Sequence, residues 1–465
     1  MLDIFDFYRK NQANSTYDIK EQELVYVCRR WRQIIFESPR RLGLRVRCMY
    51  GTLVQKDILI CQWPNIPIAI DYCSALIDTS PNDEENIIAA LEHSDRVGYL
   101  GLHLTASLLG KLARFIQKPF PTLTHLTLMS FGEQPILPAE FLGGSAPCLQ
   151  QITLSSISFP ALPTLLSSAK DLVTLNLCEI PPTDYVSPEA LVAYLAALPR
   201  LETFDIRFRM STPYTGQIQP HPITRTVLPA LTGFQLDAAG EYLEDFTARI
   251  DCPRLNSFYL VHFVELVDCQ ATQLVRFFER LVGPETSPFK EAKVRLDPAG
   301  VFLHTYRPNN HPGWHWHLAR TIISNQRTDW QALPLTHLIR HFSPIFSSVL
   351  YLNFVAHYWI VFPEGEPEVF GWPQLLELFS TMRAICVSQP LASRIAASLL
   401  EFSSGEMVAE ALPSLDLICL EKLSSASFLE KFTSVRQLSD RPVMVADTVA
   451  EFDQRLECYL KNEGK

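Results

Sequence analysis

One motif, apolar-x-x-apolar-x-apolar, recurs along this chain. It stands at Val97-Leu100-Leu102, Leu123-Leu126-Leu128, Leu149-Ile152-Leu154, Leu172-Leu175-Leu177, Leu201-Phe204-Ile206, Leu231-Phe234-Leu236 and Leu255-Phe258-Leu260. Weaker copies follow at Phe289-Ala292-Val294, Val349-Leu352-Phe354, Met382-Ile385-Val387 and Leu415-Ile418-Leu420. A proline often precedes the motif, as in Phe120-Pro121-Thr122-Leu123, Leu198-Pro199-Arg200-Leu201, Leu228-Pro229-Ala230-Leu231 and Cys252-Pro253-Arg254-Leu255. Alternation over the last three positions predicts a short strand with one apolar side. The stretch between strands must return by a helix or an irregular arm. Ser187 to Leu195 shows how: Ser187 suits an N-cap, Pro188 suits the first helical position, and Leu191, Tyr194, Leu195 and Leu198 make the buried face. No such unit can bury its apolar side alone, so the units must stack and share one continuous core. That requirement also fits the length, since 465 residues exceed what one compact core holds.

The residue between the last two anchors points away from that core. This column reads Thr127, Thr153, Asn176, Asp205, Gln235 and Tyr259. The next outward column reads Met129, Ser155, Cys178, Arg207, Asp237 and Val261. A polar column of this kind is expected on the open face of a one-sided sheet, where a partner can be held. Asp205, Arg207 and Asp237 are expected to form a charged patch near its middle.

The N-terminus carries a different signal. In the stretch from Leu24 to Pro39, the residues Leu24, Val27, Cys28, Trp31, Ile34 and Ile35 form one apolar stripe on a helix, with Arg29, Arg30, Arg32 and Gln33 opposite. Pro39 discourages helix at Ser38. The string Val27-Cys28-Arg29-Arg30-Trp31-Arg32 resembles the last helix of an F-box, and Met1-Leu2-Asp3-Ile4-Phe5 looks like the end of the first F-box helix. The family's leading Leu-Pro dipeptide and acidic residue are not in the chain, so residues 1–45 are read as an incomplete F-box-like segment. Trp63-Pro64-Asn65-Ile66-Pro67-Ile68 looks like the strand that follows the F-box in a large fungal set of such proteins. The motif spacing, roughly 23 to 30 residues, lies in the leucine-rich-repeat range. The common repeat carries Asn or Cys three residues after the last anchor. Here those positions hold Phe131, Ile157, Ile180, Arg209, Ala239 and Phe263, so the polar ladder is absent and apolar packing is expected to hold the stack.

Other chemistry is sparse. Net charge is −10, which argues against a general nucleic-acid binder. The 11 cysteines include no Cys-x-x-Cys pair and read as reduced thiols, which implies a cytoplasmic or nuclear protein. The most apolar run, Val349 to Phe362, is too short to span a bilayer. His304, His311, His315 and His317 cluster near Trp314 and Trp316, with Arg307 to Gly313 reading as a loop. Two imidazoles on one side of an extended segment can bind zinc or copper only if a third ligand converges, and none is evident. No phosphate loop and no nucleophile elbow is present. Gly143-Gly144-Ser145 reads as a turn, and Pro81-Asn82-Asp83 as a helix start.

The expected fold is therefore α/β: a small helical F-box-like N-terminus followed by an irregular leucine-rich-repeat solenoid. The divisions read from the sequence are the F-box-like segment, a linker with the Trp-Pro strand (46–80), the solenoid (81–296), a His/Trp-rich insertion (297–335), and degenerate repeats with a C-terminal cap (336–465). The resemblance implies a substrate-recruiting adaptor of a Skp–cullin–F-box ubiquitin ligase, with no catalysis and no cofactor of its own. Leu2, Ile4, Phe5, Leu24, Val27, Cys28, Trp31, Ile34 and Ile35 would meet the Skp-type adaptor and, through it, a cullin. The repeat columns would meet the target protein. The alternatives are a repeat scaffold outside any ubiquitin ligase and, more remotely, a metal-dependent hydrolase using the histidine cluster. Neither nucleic acid nor membrane is expected as a partner.

Overall fold

The computed structural model describes residues 28–31, 33, 46–48, 67–73, 81–181, 184–209, 224–263, 272–282, 291–297, 300–306, 315–322, 336, 340, 346, 349–356, 372–404, 412–422, 432–434, 436–437 and 442–463. The chain divides into two compact units, 1–210 and 211–465.

In the first unit, strands β1 (Val46–Cys48), β2 (Ile68–Cys73), β3 (Val97–Thr105), β4 (His125–Phe131), β5 (Gln151–Ser155), β6 (Thr174–Ile180) and β7 (Thr203–Phe208) lie side by side in chain order. Every neighbouring pair is parallel. Helices α1 (Pro81–Leu91), α2 (Ala106–Ala113), α3 (Leu162–Ser168) and α4 (Pro188–Ala196) lie in the returns. The stretch read as a linker thus contributes two strands, β1 and β2, to the same sheet. The strand anchors Leu126, Leu128, Ile152, Leu154, Leu175, Leu177, Phe204 and Ile206 are all buried. Each is worth roughly 1.5–3 kcal/mol of apolar burial. Helix α4 starts as its sequence dictates, with the Ser187 hydroxyl accepting the Ala190 N–H at 3.2 Å and Pro188 in the first turn.

The recurring proline has a structural cause. The N–H of each first anchor donates to the carbonyl three residues back, as in Leu123 to Phe120, Leu149 to Ala146, Leu201 to Leu198, Leu231 to Leu228, Leu255 to Cys252 and Leu415 to Leu412. Pro121, Pro147, Pro199, Pro229, Pro253 and Pro413 hold the second position of these turns, where a fixed φ near −65° is an advantage. The repeats are then stitched through the main chain. The Thr124 carbonyl accepts both the Gln150 and Gln151 N–H groups, Gln150 accepts Val173 and Thr174, and Val173 accepts Glu202 and Thr203. Thr232, Leu350 and Arg383 repeat the arrangement in the second unit. These shared carbonyls form a ladder at the start of the strands, so apolar packing is not alone in holding the stack. Gly143-Gly144-Ser145 does turn: Gly143 has φ +67, and a Cβ there would lie 2.9 Å from the Pro119 nitrogen.

In the second unit the short strands β8 (Thr226–Val227) and β10 (Ile250–Asp251) pair with each other. The larger sheet contains β9 (Gly233–Ala239), β11 (Ser257–Phe263), β12 (Glu291–Asp297), β13 (Gly300–Tyr306), β14 (His315–Ile322), β15 (Tyr351–Ala356), β16 (Ala384–Val387), β17 (Leu417–Leu420) and β18 (Met444–Ala446). Its order is β9-β11-β14-β13-β12-β15-β16-β17-β18. The hairpin β13–β14 is therefore inserted between β11 and β12. Both of its inner pairings are antiparallel, and β14 meets β11 parallel. Two reversals of direction leave the repeat polarity intact, and β12 pairs parallel with β15.

Helices α5 (Gly240–Arg249), α6 (Thr272–Val282), α7 (Trp372–Glu377) and α8 (Gln389–Ser404) accompany these strands. The Glu244 carboxylate of α5 accepts the Gln273 and Leu274 N–H groups at the start of α6, at 2.7 and 3.0 Å. In return Arg280 of α6 donates to the Thr247 and Ile250 carbonyls at the end of α5. Where second anchors are phenylalanine, the core becomes aromatic: Phe258 packs on Phe234, Phe277 and Phe278 with ring centroids 4.9 to 5.7 Å apart. The last helix, α9 (Val449–Glu463), covers the opposite face. Its Phe452 and Leu456 pack on Tyr351, Ala384, Cys386, Leu417, Cys419 and Ala446, the outward positions of β15 to β18. Both faces of β16 and β17 are accordingly buried.

Candidate functional site

The outward column of the first unit is a single row. Asp71, Gly101, Thr127, Thr153, Asn176 and Asp205 are successive Cα partners across β2 to β7. Thr127, Thr153 and Asn176 are half-buried between fully buried anchors, as alternation on a one-sided sheet requires. Asn176 Nδ2 donates to Thr153 Oγ1 at 3.4 Å, which ties two repeats together. Arg207 grips Asp205 with both Nε and Nη2, the shortest contact being 2.6 Å. The Asp205 side chain is only 13% exposed, whereas that of Arg207 is 42% exposed. The pair therefore presents a cation outward over a shielded carboxylate. Burial pushes the neighbouring Cys178 thiol above its usual range.

A charged patch is expected from Asp205, Arg207 and Asp237. Asp205 and Arg207 pair in the first unit, while Asp237 lies in the second, on β9. There Gln235 is half-buried and Asp237 is buried, and Gln235 is the Cα partner of Tyr259.

The same offset applied one repeat earlier finds residues that the column from Thr127 onwards leaves out. Gly101 and His103 occupy the outward positions of β3, beside Asp71. A Cβ at Gly101 would come within 2.9 Å of Tyr99 Cε1 and 3.3 Å of Asp71 Oδ1, so the glycine makes room for the phenol ring. Tyr99 also lies 6.0 Å, centroid to centroid, from the His125 ring, whose Nδ1 is 2.8 Å from the Thr124 hydroxyl. Burial pushes the His103 imidazole below its usual range, against the pull of the Asp71 carboxylate. The row thus begins in a Tyr–His–Asp cluster and ends in an Arg–Asp pair. At the far end of the second unit the equivalent positions, Cys386 and Cys419, are closed off by α9.

Of the N-terminal stripe, Cys28, Trp31 and their neighbours Arg29, Arg30 and Gln33 are described. Cys28 itself is not helical, helix is present at Arg29, Arg30, Trp31 and Gln33, and the Cys28 sulfur accepts the Trp31 N–H at 3.4 Å, as an N-cap does. Cys28 is exposed and Trp31 half-buried. Leu2, Ile4, Phe5, Leu24, Val27, Ile34 and Ile35 lie outside the described residues. His315 and His317 fall on β14 and His304 on β13, where His304 and His317 are Cα partners. His311 lies outside the described residues. Among the described residues no group of three or more His, Cys, Asp or Glu is placed to hold a metal ion. Among them, too, no helix is long and apolar enough to cross a membrane.

No family model matches the chain, and no curated protein matches it. Among solved structures, the leucine-rich-repeat-containing protein LegL7 from Legionella pneumophila is similar at 12% identity. The match covers 71% of this chain and 95% of that one, with a TM-score of 0.27.

Proposed function

We propose that this protein is a non-catalytic interaction module whose first unit holds a target protein on its outward strand row. The observation that carries this reading is the row itself. Polar, half-buried side chains stand in register on successive parallel strands, bounded by Asp71 and His103 at one end and by the Asp205–Arg207 pair at the other. Such a surface offers donors and acceptors at fixed spacing along one face. A partner that reads it gains hydrogen bonds without reorganising the scaffold, which lowers the cost of binding.

The N-terminal resemblance extends the proposal. The helix that begins at Arg29 would seat a Skp-type adaptor and, through it, a cullin, and the strand row would present the target for ubiquitination. Trp31 is the anchor of that contact. Co-elution of the intact chain with purified Skp-type adaptor tests the assignment. Trp31→Ala should weaken the complex by about 2 kcal/mol, some 30-fold. Asn176→Arg, on the strand row, should leave adaptor binding untouched while removing target binding. If the intact chain binds no adaptor paralogue, the ligase role fails. A repeat scaffold acting outside ubiquitination then remains.

A further inference from the structure

The repeat formed by β5 and α3 does not fill the space beneath its neighbour. Helix α3 has 7 residues and α4 has 9, so α3 is the shorter by about 3 Å at 1.5 Å per residue. Between the two repeats lies a cavity of about 330 Å³. Its floor is made by buried side chains, among them Ile157, Leu166, Leu177, Leu191 and Ile206. Protein interiors rarely hold voids much larger than a water molecule. This one offers about eleven waters' share of liquid volume at ~30 Å³ each. It falls in the ordinary size range of small-molecule sites and has their composition, an apolar wall with few polar groups.

The charged group is Asp184, half-buried in a lining that also carries Tyr185, Tyr194 and Cys178. Its carboxylate is held in place from below. Oδ1 accepts the Ser158 hydroxyl at 2.9 Å and Oδ2 accepts the Phe159 N–H at 2.7 Å. Each oxygen retains acceptor capacity. A fixed acceptor beside an apolar cavity selects a ligand that brings a donor. It repels a ligand that brings a carboxylate, whose charge would lie unpaired against the apolar walls.

We propose that the cavity binds a small, neutral, apolar alcohol of about ten carbons, its hydroxyl donating to Asp184 and its hydrocarbon filling the space between α3 and α4. Calorimetric titration of the full chain with 1-decanol and decanoate tests this. Decanol should bind saturably, one per chain. Decanoate should bind at least 10-fold more weakly. Asp184→Asn should narrow the gap between decanol and decanoate. Leu166→Trp should fill the cavity and abolish decanol binding. Should that variant fail to fold, Leu162→Trp enters from the half-buried rim and carries the same expectation. The proposal is overturned if decanol shows no saturable binding, if decanoate binds as well, or if a folded tryptophan variant binds decanol with unchanged affinity.

Discussion

Glu244 shows how one side chain joins two repeats and what that costs. It caps the start of α6 from α5, yet burial drives its pKa above the ordinary carboxylate value while the two N–H groups pull it down. A folded-state pKa above the unfolded one contributes stability that is fully present below the unfolded value, ~4.3, and is lost as pH rises through the folded value. The melting temperature of the native chain, measured against that of Glu244→Gln, should therefore fall as pH is raised above ~4.3 and level off once Glu244 is ionised in the folded chain. A difference that grows with pH would show that the N–H groups, not burial, dominate. The importance of Glu244 was not legible in the sequence, because its partners lie about thirty residues away in the next helix. Gly101 and His103 were legible in principle, since they follow from the same offset as Thr127. Asp71 was not, because it precedes the first recognisable motif.

At the scale of the element, strands and turns were the most readable part. Apolar alternation marks β3 to β7, and the buried anchors of β12, β15, β16 and β17 coincide with the weaker motif copies. The proline was visible as a pattern, but its role in a turn bond was not, because that bond joins main-chain atoms. The shared-carbonyl ladder leaves no mark in the sequence for the same reason: any residue type can build it. Helix α4 was readable from its cap. Ser187→Ala should therefore cost about 1 kcal/mol in chemical denaturation, by loss of the Ala190 N–H acceptor. A cost near zero would mean that Pro188 and the first-turn Glu189 suffice to start the helix. The β13–β14 hairpin could not be foreseen as sheet, since its order in the sheet is the reverse of its order in the chain.

At the scale of the whole molecule, the outward face is used in two ways. In the first unit its polar row is half-exposed, and at the end of the second it is covered by α9. Removing residues 449–463 should uncover Cys386 and Cys419 and speed their alkylation at least 10-fold. Cys252, buried and pushed up to about 12, should stay protected, while exposed Cys28 and Cys148 react rapidly in both forms. Unchanged alkylation would show that α9 does not shield the strands. The inserted hairpin has a further consequence for curvature. Strands are spaced ~4.8 Å apart, whereas a helix is ~10–12 Å across. One helix per strand must therefore splay the helical layer and bend the sheet. From β12 to β14 the chain lays down three strands joined by segments 298–299 and 307–314, each too short for a helical crossover. Three strands span about the width of a single helix, so over that part of the second unit the mismatch between strand spacing and helix width is removed.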